Sequence, residues 1–148
     1  MALLRLRRDS AHFLMIDVQE RLLPAISGHE AIHRNILKME RAAAVMNIPF
    51  CFTEQYPKGL GGTAAEILAS LPEGALRFEK STFSCCDEEG FNDIVDRQGR
   101  PVTVLFGIET HICVLATVLD LLELNRQVIV AADARGSRLH EHAVLAMD

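Results

Sequence analysis

The chain has no apolar run approaching the roughly 20 residues that a membrane-spanning helix requires. It has no basic surplus either: 15 Lys and Arg against 20 Asp and Glu give a formal charge of −5. That balance supplies no electrostatic footprint for nucleic acid or an anionic membrane, and the few arginines near the start (Arg5, Arg7, Arg8) are too few to define one. There is no C-x-x-C pair among Cys51, Cys85, Cys86 and Cys113, and neighbours in sequence such as Cys85 and Cys86 seldom bond to each other. A reducing, cytoplasmic setting is expected. No G-x-G-x-x-G or phosphate-loop pattern occurs, so no nucleotide cofactor is implied, and no cofactor of any kind is expected. Repeats, low-complexity tracts and linker-like composition shifts are missing, which points to one domain over 1–148. The opening MALLRLRRDS is short, and arginines interrupt its leucines, unlike a secretory signal. A transit-peptide tip is the alternative there, opposed by a first strand that begins a few residues later.

What is present is an alternation of strand-like and helix-like segments. Residues 12–18 (HFLMIDV), 49–53 (PFCFT), 75–79 (ALRFE), 101–108 (PVTVLFGI) and 127–133 (QVIVAAD) read as strands, the fourth most clearly. Ile32, Ile36, Met39 and Ala43 recur at helical spacing, with Ser27 and Glu30 at capping-box spacing ahead of them and Asn47 and Pro49 behind. Residues 54–63 read as a Gly-containing loop and 64–70 as a short helix. Asp87 is placed to cap a helix through about 97, and Val114, Leu115, Val118, Leu121 and Leu122 line another that ends near Asn125. Apolar strands separated by helices predict a three-layer α/β/α sandwich with a mostly parallel sheet. In such a sheet, function gathers at the carboxyl ends of the strands. Asp17, Glu54, Lys80, the turn 107–113 and Asp133 fall there.

Cys113 lies in the opening turn of a helix that follows a strand, where unpaired N–H groups and the helix dipole favour a thiolate. A small buried core residue is the bland reading of the same position. Asp17 and Lys80 each end an apolar strand; singly they read as a loop-capping acid and a solvated lysine. Taken together, an acid, an ammonium and a thiol at three strand ends can converge on one crevice. There the carboxylate can take the thiol proton while the ammonium holds the carboxylate ionised.

FLMIDVQERLLPAI (13–26), TEQYPKGLGGT (53–63), FEKSTFSC (78–85), GIETHICV (107–114) and VAADARGSR (130–138) resemble, in order and over nearly the whole chain, the motifs of isochorismatase-like cysteine hydrolases. The branch of undefined substrate is the nearer one. The resemblance implies a sheet of order 3-2-1-4-5, here without the usual last strand and helix, which would leave 127–132 as an apolar edge. It implies Asp17 as general base, Lys80 as its partner and Cys113 as nucleophile toward a small amide-type substrate. It also implies a cis Ile108–Glu109 peptide, with the Glu109 and Cys113 amides as oxyanion hole. Gln19, Tyr56, Phe83 and His111 are candidate pocket residues, although ordinary packing accounts equally for Tyr56 and Phe83. The metal-binding Asp-x-His motif of nicotinamidases has no counterpart in 53–63, so no metal is expected. Isochorismatases proper typically lack the cysteine, so Cys113 argues against vinyl-ether cleavage. A homo-oligomer, dimer or larger, is expected. Two other readings stand beside the hydrolase: a non-catalytic oligomeric or interaction module of this fold, and a thiol sensor using Cys85, Cys86 or Cys113.

Overall fold

The computed structural model describes residues 4–148; Met1–Leu3 of the arginine-interrupted opening lie outside the described residues. Five strands, β1 (Ala11–Ile16), β2 (Phe50–Gln55), β3 (Leu76–Lys80), β4 (Val102–Ile108) and β5 (Gln127–Gly136), form one sheet in the order β3-β2-β1-β4-β5. Every pairing is parallel, with Phe13 opposite Phe50 and Val104. The helices are α1 (His29–Met46), α2 (Pro57–Leu60), α3 (Ala65–Ser70), α4 (Phe91–Arg97), α5 (Leu115–Glu123) and α6 (His140–Leu145). Each parallel pairing needs a crossover, and the intervening helices supply it. The expected architecture and strand order are borne out. None of the helices among the described residues is long and apolar enough to cross a membrane.

The two-residue period of the strands sorts their side chains into two cores. Phe13, Met15, Phe50, Phe52, Val104 and Phe106 face Ile32, Ile36 and Ala43 of α1 and Ile67 of α3. Phe106 meets Phe13 and Phe50 edge-on, both at 5.9 Å between ring centroids, a preferred aromatic geometry. On the other face, Leu14, Ile16, Cys51 and Leu105 pack with Phe91 and Val95 of α4 and Val114 and Leu121 beside and within α5. Central β1 and β4 are buried along their whole length. The edges are less so: residues 128–131 of β5 are half-buried, and β5 pairs with β4 alone.

Two helix starts differ from expectation. Helix α1 is capped by Gly28 in the left-handed region (φ 70°), with no side-chain cap. Ser27 instead gives its N–H to the Ser137 carbonyl at 3.0 Å, so a tertiary contact displaces the capping box. Asp87 does not cap α4, which begins after Gly90 (φ 84°). Asp87 ends a short 3-10 turn in which the Ser84 hydroxyl accepts the Cys86 N–H. Asn47 does end α1, in the left-handed region at φ 53°.

Candidate active site

The carboxyl ends of β1, β3 and β4 bring Asp17, Lys80 and Cys113 together. β1 stops because Asp17 turns into the left-handed region (φ 53°), which swings its carboxylate across the top of the sheet. Beside it, β4 passes close enough that a β-carbon at Gly107 would collide with the Ile16 carbonyl. Only glycine allows that approach (φ 122°), and it seats the following turn against Asp17. That turn, Thr110–Val114, is a wide π-type turn leading into α5, and it carries Cys113. The Ile108–Glu109 peptide before it is cis.

Lys80 Nζ lies 2.9 Å from Asp17 Oδ2, and both side chains are at most 1% exposed. The same ammonium donates to Gln55 Oε1 at 2.6 Å, Thr82 O at 2.9 Å and Phe83 O at 3.2 Å. Three N–H bonds thus face four acceptors, a setting that stabilises the cation. Burial alone favours the neutral amine; the Asp17 charge, with Cys85 and Cys113 beside it, overrides that and holds Lys80 above its ordinary value. Asp17 Oδ1 accepts the Thr53 hydroxyl at 2.8 Å. Oδ2 has the ion pair but no aligned hydrogen bond from a described residue, so it keeps acceptor capacity.

Cys113 is 7% exposed. The Asp17 carboxylate and the Lys80 ammonium both act electrostatically on its thiol. Burial pushes that thiol up to about 12; the Asp17 charge adds to the rise and Lys80 partly offsets it. Burial thus favours the thiol, where helix-dipole reasoning alone favours a thiolate. Cys51, buried without such neighbours, also reaches about 12, and Cys86 about 11 through burial. Thr117 links the neighbourhood: its hydroxyl donates to Cys113 O at 2.7 Å and accepts the Cys85 N–H at 3.0 Å. All four cysteines are free.

The candidate pocket residues separate. Gln19 is a correction: it is fully buried and cannot line a pocket. Its amide accepts the Gln55 N–H at 2.6 Å and donates to Gln55 O at 2.9 Å and Gly61 O at 2.7 Å, bracing the end of β2. Tyr56 lines a cleft of about 300 Å3 with Pro57, Lys58, Glu79, Lys80, Ser81 and Glu88. Phe83 is 66% exposed, so neither ring is spent on the core. His111 lies on the Cys113 turn, but its Nδ1 meets Ser137 Oγ at 2.8 Å and its ring lies 4.8 Å from that of His142. The Glu109 side chain accepts the Arg138 N–H at 3.0 Å.

Sequence reasoning missed Thr53 and Gln55, which hold the acid and the ammonium. The available signal was polarity at the carboxyl end of an otherwise apolar strand, PFCF, one level with Asp17.

A doubly covered parallel sheet with a buried carboxylate, ammonium and thiol at its carboxyl edge defines the class. The chain belongs to the isochorismatase family: the model described as Isochorismatase domain matches residues 11–148. It is 37% identical to isochorismatase domain-containing protein 1 of Salmo salar over 92% of this chain. The chain spans about half the length of the curated relatives of that name, 47% of the Salmo salar protein and 44% of the Danio rerio one. Among solved structures it resembles the MAR1 ribonuclease from Caenorhabditis elegans (TM-score 0.90, 34% identity, covering 97% of this chain and 73% of that one). It also resembles the Escherichia coli YcaC gene product, an octameric hydrolase of unknown specificity (TM-score 0.93, 25% identity, covering all of this chain and 74% of that one).

Proposed function

We propose that the chain is a cysteine-dependent hydrolase that cleaves an amide-type C–N bond of a small molecule. The observation that carries this reading is the convergence of the Cys113 thiol on a carboxylate that retains acceptor capacity and an ammonium saturated with acceptors. Because burial favours the neutral thiol, attack is general-base catalysed. Asp17 Oδ2 takes the Sγ proton as sulfur bonds to the carbonyl carbon. The amides of Glu109 and Cys113 hold the resulting oxyanion. As the C–N bond breaks, the amine leaves with the proton from Asp17, giving a Cys113 thioester. Water, deprotonated by Asp17, then cleaves the thioester, and the proton returns to the thiolate. Lys80 transfers no proton; it keeps Asp17 anionic between steps. Tyr56 and Phe83 offer aromatic walls to an entering substrate.

Homo-oligomerisation is part of the proposal, since the similar E. coli protein is octameric. So is a reducing, cytoplasmic setting, for four free thiols. The C. elegans relative is named a ribonuclease. RNA binding draws its affinity from basic surface, and the net charge here is −5, which favours a small substrate.

The test is turnover of a panel of small amides and an RNA oligonucleotide by the wild type and Cys113→Ala, with intact-mass detection of an acyl adduct. Amide turnover should fall about a thousandfold or more in the variant, and the adduct should vanish with it. Cys113→Ala with unchanged amide turnover would sink the mechanism. An inert wild type with no adduct would favour the non-catalytic module.

A further inference from the structure

We propose that Thr53 is a positioning residue that selects which oxygen of Asp17 receives the Cys113 proton, an inference that rests on the cysteine-hydrolase reading above. A carboxylate offers two oxygens and about four acceptor directions. Only an oxygen aimed at the thiol can act as base in the geometry of attack.

Thr53 is 1% exposed and is held at both ends of its contact with Asp17. Its hydroxyl donates to Asp17 Oδ1 at 2.8 Å, and Thr53 Oγ1 accepts the Asp17 N–H at 3.3 Å. The Thr53 carbonyl also accepts that N–H, at 3.2 Å. The acid is thus gripped by backbone and side chain together, which fixes its rotation. With Oδ1 occupied, Oδ2 is left facing Lys80 Nζ at 2.9 Å. Lys80 cannot follow a rotated carboxylate, because Gln55, Thr82 and Phe83 hold its other directions. Gln55 is itself locked by Gln19, which no substrate can reach. The titratable groups facing Asp17 are Lys80 from β3, Cys85 from the turn after β3, and Cys113 from the turn after β4. Among these, the Thr53 hydroxyl adds an uncharged donor that pins one oxygen and frees the other.

Three consequences distinguish positioning from packing. Removal of the hydroxyl should slow proton removal from Cys113. It should also move the onset of Cys113 reactivity to higher pH, because the base that takes the proton is no longer held in place. And the hydroxyl, rather than the methyl group, should matter.

The experiment needs no substrate. The rate of Cys113 alkylation by iodoacetamide is followed from about pH 5 to about pH 10 by peptide mapping, in the wild type, Thr53→Val, Thr53→Ser and Asp17→Asn, with thermal melts confirming the fold. Thr53→Val should react about tenfold more slowly at neutral pH, the scale of one charge-assisted hydrogen bond, with its rate midpoint moved to higher pH. Thr53→Ser should stay within about twofold of the wild type. If Thr53→Val does not fold, Thr53→Ala removes the hydroxyl with less demand on packing and carries the same expectation. A Thr53→Val rate and midpoint matching the wild type, with Asp17→Asn slow, would overturn this inference alone. Thr53→Ser as slow as Thr53→Val would do the same, since the methyl group would then be the cause. Asp17→Asn as fast as the wild type would instead overturn the hydrolase reading beneath it.

Discussion

Asp17 and Glu54 sit one strand apart at the same edge of the sheet, are 1% and 2% exposed, and each faces one cation. Only Asp17 has a part in the proposed mechanism. Glu54 is saturated: Oε1 accepts the Thr63 N–H and hydroxyl, both at 2.8 Å, and Oε2 takes two donors from Arg77. Asp17 receives one aligned side-chain hydrogen bond and one ion pair, and its charge acts on the neighbouring Cys113 thiol. Burial and a salt bridge are common to both, so neither marks a catalytic acid by itself. Spare acceptor capacity beside a nucleophile does. The separation follows from the strand period: Thr53 and Gln55 point to the Cys113 side of the sheet, and Glu54 between them points to the other. Glu40 on α1 is a third case, fully buried with neither oxygen partnered among the described residues. Burial pushes its carboxyl up to about 8.

Substitutions at the three carboxyl sites sharpen this contrast. The largest effect on stability is expected from Lys80→Met, which strands a buried charge at Asp17 and should cost about 3–5 kcal/mol in urea unfolding. Arg77→Met should cost far less, about 1 kcal/mol, because Arg77 is half exposed and Thr63 still holds Glu54. Equal losses would erase the distinction between the two pairs.

Glu54→Gln should lower stability by about 1–2 kcal/mol near neutral pH, through lost charge-assisted bonds. Burial alone would raise the Glu54 carboxyl, but Thr63 and Arg77 override that and hold it below its ordinary value of 4.5. A depressed native value contributes stability that is fully present above 4.5 and is lost as pH falls through the native value. The gap between wild type and Glu54→Gln should therefore close on acidification, as followed by unfolding at successive pH values. A gap that persists at low pH would place the stabilisation elsewhere.

The last change is a gain. Glu40→Leu should stabilise, most of all in alkaline solution, by removing an unpartnered buried carboxyl. A raised native value means that the native state holds a proton the unfolded chain has lost, so wild-type stability falls between pH 4.5 and about 8. The advantage of Glu40→Leu should grow over that window and level off above it. No pH dependence in the difference would mean that Glu40 finds a partner in solution.

The alternation of strands and helices and the three strand-end residues were legible from short-range signals, apolar runs and where they stop. The sheet order came from the family resemblance carried by motifs in one order. Gln19 was misread, since its neighbourhood depends on where β2 ends relative to the turn after β1, a register that local pattern does not carry. Thr53 and Gln55 escaped for the same reason; their meaning lies in the strands beside them. The Ser27 capping box failed because a distant carbonyl, Ser137 O, took the amide first. The upward push on the Cys113 thiol was also hidden, since local position shows a helix start but not the burial that opposes it.

The central claim is that Asp17, rather than any buried carboxylate nearby, activates Cys113. Its most direct test is the alkylation rate of Cys113 at neutral pH, mapped by peptide, in the wild type, Asp17→Asn and Glu54→Gln. The account predicts that Asp17→Asn slows labelling by about a hundredfold or more, while Glu54→Gln stays within about twofold of the wild type. Equal rates in all three proteins, or equal slowing in the two variants, would contradict it.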